Sequence, residues 1–181
     1  MLLQADRSLL LIVDVQEKLV PAIHEQRRVV ENCTWLIRVA REIGVPVRAS
    51  EQYPKGLGPT VPELMELLQP SELMEKVHFS CSAEESCREA ILETGRDQII
   101  VAGVEAHVCV LQTVLDLVEL GKSLFVVADA VSSRDPRNAE LAVARMRQAG
   151  VQAVSCEMVL FEWAHKAGTD QFRRLSKTFL R

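Results

Sequence analysis

Three side chains of the sequence could together perform nucleophilic chemistry: the carboxylate of Asp14, the ammonium of Lys76 and the thiol of Cys109. Asp14 directly follows the apolar run LLLIV at 9–13, and a carboxylate at the edge of an apolar core has a raised pKa that suits a general base. Cys109 falls in the first turn of a predicted helix, where free N–H groups and the helix dipole lower the pKa of a thiol. A nearby ammonium would lower that pKa further.

Each of these residues, taken singly, also has a purely structural explanation. Asp14 could cap a helix or stand in a surface turn. Lys76 could be an ordinary exposed lysine, and Cys109 could be a small core residue. The choice between chemistry and packing therefore depends on where the fold places the three side chains.

Apolar periodicity divides the chain into alternating strands and helices. The predicted strands lie at 8–15, 45–50, 76–80, 97–103, 122–129 and 151–156. The predicted helices lie at 26–43, 62–68, 83–93 with Ser82 as N-cap, 106–120, 136–150 and from 169 onwards. This alternation favours parallel strands joined by right-handed crossovers. We therefore predict an α/β fold, a three-layer αβα sandwich with a six-stranded, mostly parallel, Rossmann-like sheet, formed by a single domain over 1–181.

The carboxyl ends of the predicted strands are the place to look for a site, because ligands bind at that edge of an open parallel sheet. Asp14, the segments 51–53 and 103–109, and Asp129 all lie at this edge in the predicted arrangement. Lys76 stands at the beginning of a predicted strand, so this rule alone does not select it.

The composition argues against several classes of function. The net charge is −4, with 21 basic and 25 acidic residues and no basic stripe, which disfavours nucleic acid or an anionic membrane as a partner. No apolar run reaches the roughly 18 residues of a membrane-spanning helix, and no signal peptide is recognisable, so we expect a cytoplasmic protein. The glycine-rich motifs that hold nucleotide phosphates are absent, and no cofactor is expected.

The cysteines favour free thiols over disulfides. They are odd in number and form no Cys-x-x-Cys pair; they stand at 33, 81, 87, 109 and 156. No cluster of cysteine and histidine has the spacing of a zinc site, so no metal site is predicted.

Three longer motifs carry a family resemblance: LLIVDVQEKLVPAI at 10–23, EKVHFSCS at 75–82 and VAGVEAHVCVLQT at 101–113. In this order they resemble the isochorismatase-like (cysteine) hydrolase superfamily, over nearly the whole chain. SEQYPKGLGPT at 50–60 and GVEAHVCV at 103–110 resemble in particular its isochorismatase-domain-containing branch. The resemblance implies a six-stranded parallel sheet with helices on both faces, and a homo-oligomer of two or more copies.

The resemblance also implies a catalytic triad of Asp14, Lys76 and Cys109. Cys109 would attack a carbonyl carbon as a thiolate and form a thioester, while Asp14 carries the thiol proton to the leaving amine. Lys76 would favour the thiolate and keep Asp14 oriented. A cis peptide bond is implied between Val104 and Glu105, where it would turn backbone N–H groups near Glu105 and Cys109 towards the developing oxyanion.

The surroundings of this triad differ from those of some superfamily members. Nicotinamidases carry an Asp-x-His…His metal site after the second strand, whereas this chain reads RASEQYPKGLG at 48–58, without histidine. Many amidases of the superfamily have threonine where this chain has Glu105 or Ala106. Three aromatic residues could line the substrate pocket or pack into the core instead: Tyr53, Phe79 and Trp163.

We therefore predict a metal-independent cysteine hydrolase that acts on a small molecule and cleaves an amide or a related C–N bond. The alternative is a catalytically silent family member that acts in assembly or regulation. Glu105 and the missing metal motif favour that alternative, because the pocket would no longer suit the usual substrates.

Overall fold

The computed structural model describes residues 1–180, and within them six strands form one sheet. The strands are β1 (Ser8–Val13), β2 (Val47–Gln52), β3 (Leu73–Lys76), β4 (Gln98–Gly103), β5 (Ser123–Val131) and β6 (Gln152–Val154). Their order is β3-β2-β1-β4-β5-β6, and all neighbouring strands pair in parallel. The predicted six-stranded parallel sheet is confirmed.

Helices cover both faces of this sheet. They are α1 (Gln26–Ile43), α2 (Pro54–Leu57), α3 (Pro62–Met65), α4 (Glu85–Leu92), α5 (Leu111–Glu119), α6 (Pro136–Gln148), α7 (Cys156–Ala164) and α8 (Asp170–Phe179). Helices α1, α3 and α7 contribute to the core on one face, and α4, α5 and α6 to the core on the other. None of the helices within residues 1–180 is both long and apolar enough to cross a membrane.

The central strands β1 and β4 are buried along their whole length. Leu10 and Ile12 of β1 face the core that contains α1, whereas Leu9 and Leu11 face the core that contains α5. Because both faces of a parallel sheet are covered, such strands consist of continuous apolar residues rather than alternating ones. This explains why the apolar runs in the sequence predict these two strands so closely.

The sheet order reverses between β1 and β4. From β1 the chain continues to β2 and β3 on one side, and β4 continues to β5 and β6 on the other. At such a reversal the connections leave in opposite directions and open a crevice at the carboxyl ends of the two strands. Asp14 and the segment that contains Cys109 begin at this crevice.

The third strand differs from its prediction. β3 ends at Lys76, and the segment 77–80, predicted as strand, lies beyond it. Val77 and Phe79 are 67% and 53% exposed, so their apolar side chains do not mark a buried strand. Lys76 therefore stands at the carboxyl edge of the sheet, where the sequence had not placed it.

Other element boundaries also differ from their predictions. Helix α4 begins at Glu85 with Glu84 as N-cap, so the prediction of Ser82 as N-cap is wrong. The Glu84 carboxylate accepts hydrogen bonds from the backbone N–H of Val77, at 3.2 Å, and contacts the His78 ring, which keeps the preceding residues in a turn. Strand β2 extends to Gln52, two residues beyond its predicted end.

Gly103 permits the close approach of β4 to β1. Its φ is +116°, and a Cβ atom built there would lie 2.1 Å from the backbone oxygen of Val13. That same oxygen accepts a hydrogen bond from the N–H of Val104 at 2.8 Å. β1 and β4 therefore cannot separate at the crevice without breaking the backbone hydrogen bonds that join them.

Replacement of Gly103 by alanine should lower the free energy of unfolding by about 3 kcal/mol or more, because steric overlap adds to an unfavourable backbone conformation. Urea denaturation followed by circular dichroism measures the loss. Gly95→Ala is the matched control: Gly95 also has positive φ, at +68°, but nothing lies within 4 Å of its Cβ position. The control should lose only about 1–2 kcal/mol. Equal losses in the two variants would contradict the steric explanation.

Candidate active site

Asp14 is the first residue after β1 and lies at the crevice between β1 and β4. Its backbone adopts a left-handed conformation, with φ at +51°. The carboxylate is fully buried: Oδ1 accepts a hydrogen bond from Ser50 Oγ at 2.7 Å, and Oδ2 accepts one from Lys76 Nζ at 2.8 Å. Both oxygens are therefore held by side chains of other strands, one from the adjacent strand β2 and one from β3 beyond it.

Lys76 ends β3 and directs its ammonium into the same place. Nζ donates to Asp14 Oδ2, to Gln52 Oε1 at 2.6 Å and to the backbone oxygen of His78 at 3.3 Å. Three acceptors match the three protons of the ammonium. The side chain is fully buried, so it is not the exposed surface lysine that its residue type alone would suggest.

Cys109 lies in a π-helical turn, Ala106–Val110, that leads into α5. Single π turns are frequent at functional sites. The residue is only 6% exposed, and its sulfur is close enough to Asp14 and Lys76 for both charges to act on the thiol. The structure thus brings the three predicted residues together from the ends of β1, β3 and β4.

The electrostatics of this cluster favour a neutral thiol beside an ion pair. Burial raises the pKa of Asp14, and the nearby Lys76 opposes this only in part. Burial is the largest influence on Lys76 and lowers its pKa, but the nearby groups together, first among them the Asp14 carboxylate, outweigh burial, so the pKa of Lys76 is raised. Burial, and next the Asp14 charge, raise the pKa of Cys109 more than Lys76 lowers it. The expectation of a lowered pKa for Cys109 is therefore wrong, because desolvation and a carboxylate neighbour exceed the effect of the ammonium.

Of the three aromatic candidates, two lie at the edge of the sheet that carries the site and one lies at the opposite edge. Tyr53 follows β2 and Phe79 lies shortly after β3, so both stand at the edge of the sheet that carries the triad, and both are exposed. Trp163 does not line this site: its Nε1 donates to Ser8 Oγ at 2.9 Å, at the opposite end of β1. Helix α7 starts beside Asp129 at the carboxyl edge and runs back towards the amino edge, which carries Trp163 away from the crevice.

Glu105 lies directly before the π-helical turn, and its peptide bond with Val104 is cis. Its carboxylate Oε2 accepts hydrogen bonds from both the backbone N–H and Nε of Arg134, each at 3.0 Å. The side chain is mostly buried, whereas Arg134 is largely exposed. The acidic residue that differs from the superfamily amidases is therefore paired with a cation of the loop after β5.

Sequence reasoning missed two contacts of the triad. Ser50 orients the Asp14 carboxylate, and Gln52 accepts a hydrogen bond from Lys76. Both lie in the last residues of β2, whose predicted range ends at residue 50. A predicted strand longer by two residues would also have placed Gln52 beside Lys76, but the polar residues SEQ at 50–52 are typical of a loop.

Comparison with known proteins identifies relatives of this chain. The family model described as "Isochorismatase domain" matches residues 8–158. Isochorismatase domain-containing protein 2 of Danio rerio is 40% identical over 172 residues, which cover 94% of this chain and 85% of the relative.

Solved structures share the fold. The MAR1 ribonuclease of Caenorhabditis elegans is 34% identical, with a TM-score of 0.92, and the match covers 100% of this chain and 93% of that one. The YcaC gene product of Escherichia coli, described as an octameric hydrolase of unknown specificity, is 27% identical, with a TM-score of 0.91. That match covers 97% of this chain and 89% of the other.

Lys76→Met should lower the free energy of unfolding at pH 7 by about 3–5 kcal/mol, because it leaves the Asp14 carboxylate buried without its cation. Adding Asp14→Asn should recover more than half of that loss. Urea denaturation of the single and double variants measures both values.

The loss in Lys76→Met should also depend on pH. The pKa of a buried, unpaired carboxyl lies above its unfolded value, so the cost is complete at pH values above the folded pKa. It should vanish as the pH falls below the unfolded value of about 3.9. A single variant as stable as the native protein at pH 7 would disprove the coupling.

Proposed function

Because the chain belongs to the isochorismatase family, we propose that it is a metal-independent cysteine hydrolase that cleaves a small amide or a related C–N bond. The observation that carries this proposal is the buried Asp14–Lys76 ion pair beside Cys109 at the crevice of the sheet. A thiol, a carboxylate and a fixed cation are the groups that acyl transfer through a thioester needs.

In the first half of the reaction, the Cys109 sulfur attacks the carbonyl carbon of the amide while its proton moves to Asp14. The C–N bond then breaks, and the nitrogen takes the proton from Asp14 and leaves as the amine. In the second half, Asp14 accepts a proton from water as the water oxygen attacks the thioester. The C–S bond breaks, the acid leaves, and the proton returns to the sulfur.

The raised pKa values of Asp14 and Cys109 fit this sequence. A thiol that stays protonated at rest needs a base within reach, and Asp14 is that base. A carboxyl with a raised pKa also returns the proton more readily to the leaving amine. Lys76 keeps its charge through neutral pH, since its own pKa is raised, and stabilises negative charge on either partner.

The backbone N–H groups of Glu105 and Cys109 are the proposed donors to the oxyanion. Among residues 1–180, the N–H of Glu105 donates to no protein acceptor, whereas the next N–H, of Ala106, donates to Ser132 at 2.8 Å. One such donor stabilises the transition state by about 3 kcal/mol. Exposed rings of Tyr53 and Phe79 at the same edge are the proposed apolar walls for the substrate.

A homo-oligomer is also proposed. The Escherichia coli relative is described as octameric, and this chain exposes the apolar side chains of Tyr53, Val77 and Phe79 near the triad. Size-exclusion chromatography with light scattering tests the proposal, and a monomer at micromolar concentration would contradict it.

A panel of substrates tests the hydrolase proposal against a catalytically silent protein. It contains small aliphatic and aromatic amides, N-carbamoyl amines and, because the Caenorhabditis elegans relative is named a ribonuclease, a short single-stranded RNA. The native protein should release ammonia or amine from at least one amide, and Cys109→Ala should lose this turnover by about 1000-fold or more. Cys156→Ala is the control and should keep it within about twofold. Turnover that survives in Cys109→Ala, or cleavage of the RNA alone, would contradict the proposal.

Alkylation by iodoacetamide tests the nucleophile without a substrate. Cys109 and Cys156 are similarly exposed, at 6% and 7%, and each lies beside a carboxylate that raises its pKa. Of these two cysteines, only Cys109 has an ammonium next to it, so it should react roughly tenfold faster at pH 8. Because its pKa is raised, the rate should keep increasing through pH 10. Peptide mass spectrometry measures both rates, and equal rates would disprove activation of Cys109.

A further inference from the structure

We infer that Gln52 is a positioning residue, whose side-chain amide holds the Lys76 ammonium where it serves Asp14 and Cys109. The inference rests on the proposed function, since it assigns a role in the same site. The two residues end adjacent strands and are direct partners in the register of β2 and β3. Gln52 Oε1 accepts a hydrogen bond from Lys76 Nζ at 2.6 Å, and both side chains are buried.

The orientation of the Gln52 amide is determined by its other contacts. Its Nε2 donates to the backbone oxygen of Val77 at 2.8 Å, so the oxygen faces Lys76. The opposite orientation would direct an NH₂ group at the ammonium, which has no acceptor to offer. A cation is therefore held by an amide that has only one favourable orientation.

Gln16 holds the backbone of Gln52. Its Oε1 accepts the N–H of Gln52 at 2.7 Å, and its Nε2 donates to the Gln52 oxygen at 3.0 Å. The same Nε2 also donates to the backbone oxygen of Gly58 at 2.7 Å. The end of β2 is thus tied to the loop after β1, which carries Asp14, and this fixes the distance between the two strand ends.

A neutral amide at this position preserves the charge balance of the site. The ionisable groups that face Lys76 are Asp14 from the loop after β1, Cys81 from the loop after β3 and Cys109 from the π-helical turn. Glu51, the neighbour of Gln52, is turned away and accepts hydrogen bonds from Thr60. A carboxylate in place of the Gln52 amide would compete with Asp14 for the single cation and add negative charge near the thiol.

The chain offers a matched control in Gln98. Like Gln52, this glutamine is buried and uses both ends of its amide: Nε2 donates to the Leu2 oxygen at 3.0 Å, and Oε1 accepts the Gln4 N–H at 2.7 Å. It begins β4, at the opposite edge of the sheet from the triad. Replacing either glutamine by methionine removes a buried amide of similar size, but only Gln52 touches the cation.

The experiment compares native protein, Gln52→Met, Gln52→Glu and Gln98→Met. The rate of Cys109 alkylation by iodoacetamide is measured between pH 6 and pH 10 by peptide mass spectrometry, and urea denaturation records the stability of each protein. In Gln52→Met the Lys76 ammonium loses one of its three acceptors, so it is held less firmly beside Asp14 and Cys109. The Cys109 rate at pH 8 should therefore fall roughly tenfold, and its pH profile should move up by about one unit.

The remaining variants separate positioning from simple stability. Gln98→Met should keep the native rate and profile within about twofold, whatever stability it loses. Gln52→Glu keeps an acceptor for Lys76 and the same size, yet its added charge should also move the profile upwards. If Gln52→Met does not fold, the pH profile of Gln52→Glu tests the inference instead.

Two results would overturn the inference, and they differ. If Cys109 of the native protein reacts no faster than Cys156, the activated thiol is absent, and the proposed function fails together with the role of Gln52. If native Cys109 is activated but both Gln52 variants, or the folded one, keep its pH profile within about 0.3 units, only the positioning role fails.

Discussion

A lysine ammonium and an aspartate carboxylate, both fully buried and joined at 2.8 Å, are the constraint on which the surrounding structure depends. Removal of two charges from water costs several kcal/mol for each ion, so their remaining protons and lone pairs must all find partners. Ser50 supplies the donor to the second carboxylate oxygen, and Gln52 and the His78 backbone supply acceptors to the ammonium. Within residues 1–180, no buried side-chain nitrogen or oxygen lacks a hydrogen-bond partner.

The topology of the sheet makes this arrangement possible. Lys76 and Asp14 come from strands that are not neighbours, and β2 between them contributes the two residues that complete the cluster. On the other side, Gly103 lets β4 approach β1 so closely that the following turn carries Cys109 towards the ion pair. Three strand ends meet at one crevice because all strands point the same way and the sheet order reverses there.

The chemistry follows from the same burial. Burial raises the pKa of both the thiol and the carboxyl. In the proposed mechanism the proton therefore stays on sulfur until a substrate arrives, and Asp14 then accepts it. In the same proposal the Lys76 ammonium serves two groups in turn, the carboxylate at rest and the sulfur or oxyanion during attack. Beyond this cluster, Glu105 is already engaged by Arg134, which leaves the wall of the site close to neutral.

The sequence by itself determined the order of the strands and helices and the parallel sheet, because buried strands such as β1 consist of unbroken apolar residues. It also indicated Asp14, Lys76 and Cys109 as candidate site residues, because each stands in a short local motif. It could not place Lys76 at the end of β3, since the apolar residues Val77 and Phe79 continue the pattern of a strand while facing solvent. Only the tertiary structure decided that Gln52 holds the ammonium, that Trp163 lies at the far edge, and that the thiol is less acidic than its helix position suggests. These properties depend on strand pairing and on the total burial around a group, which residues distant in the sequence produce together.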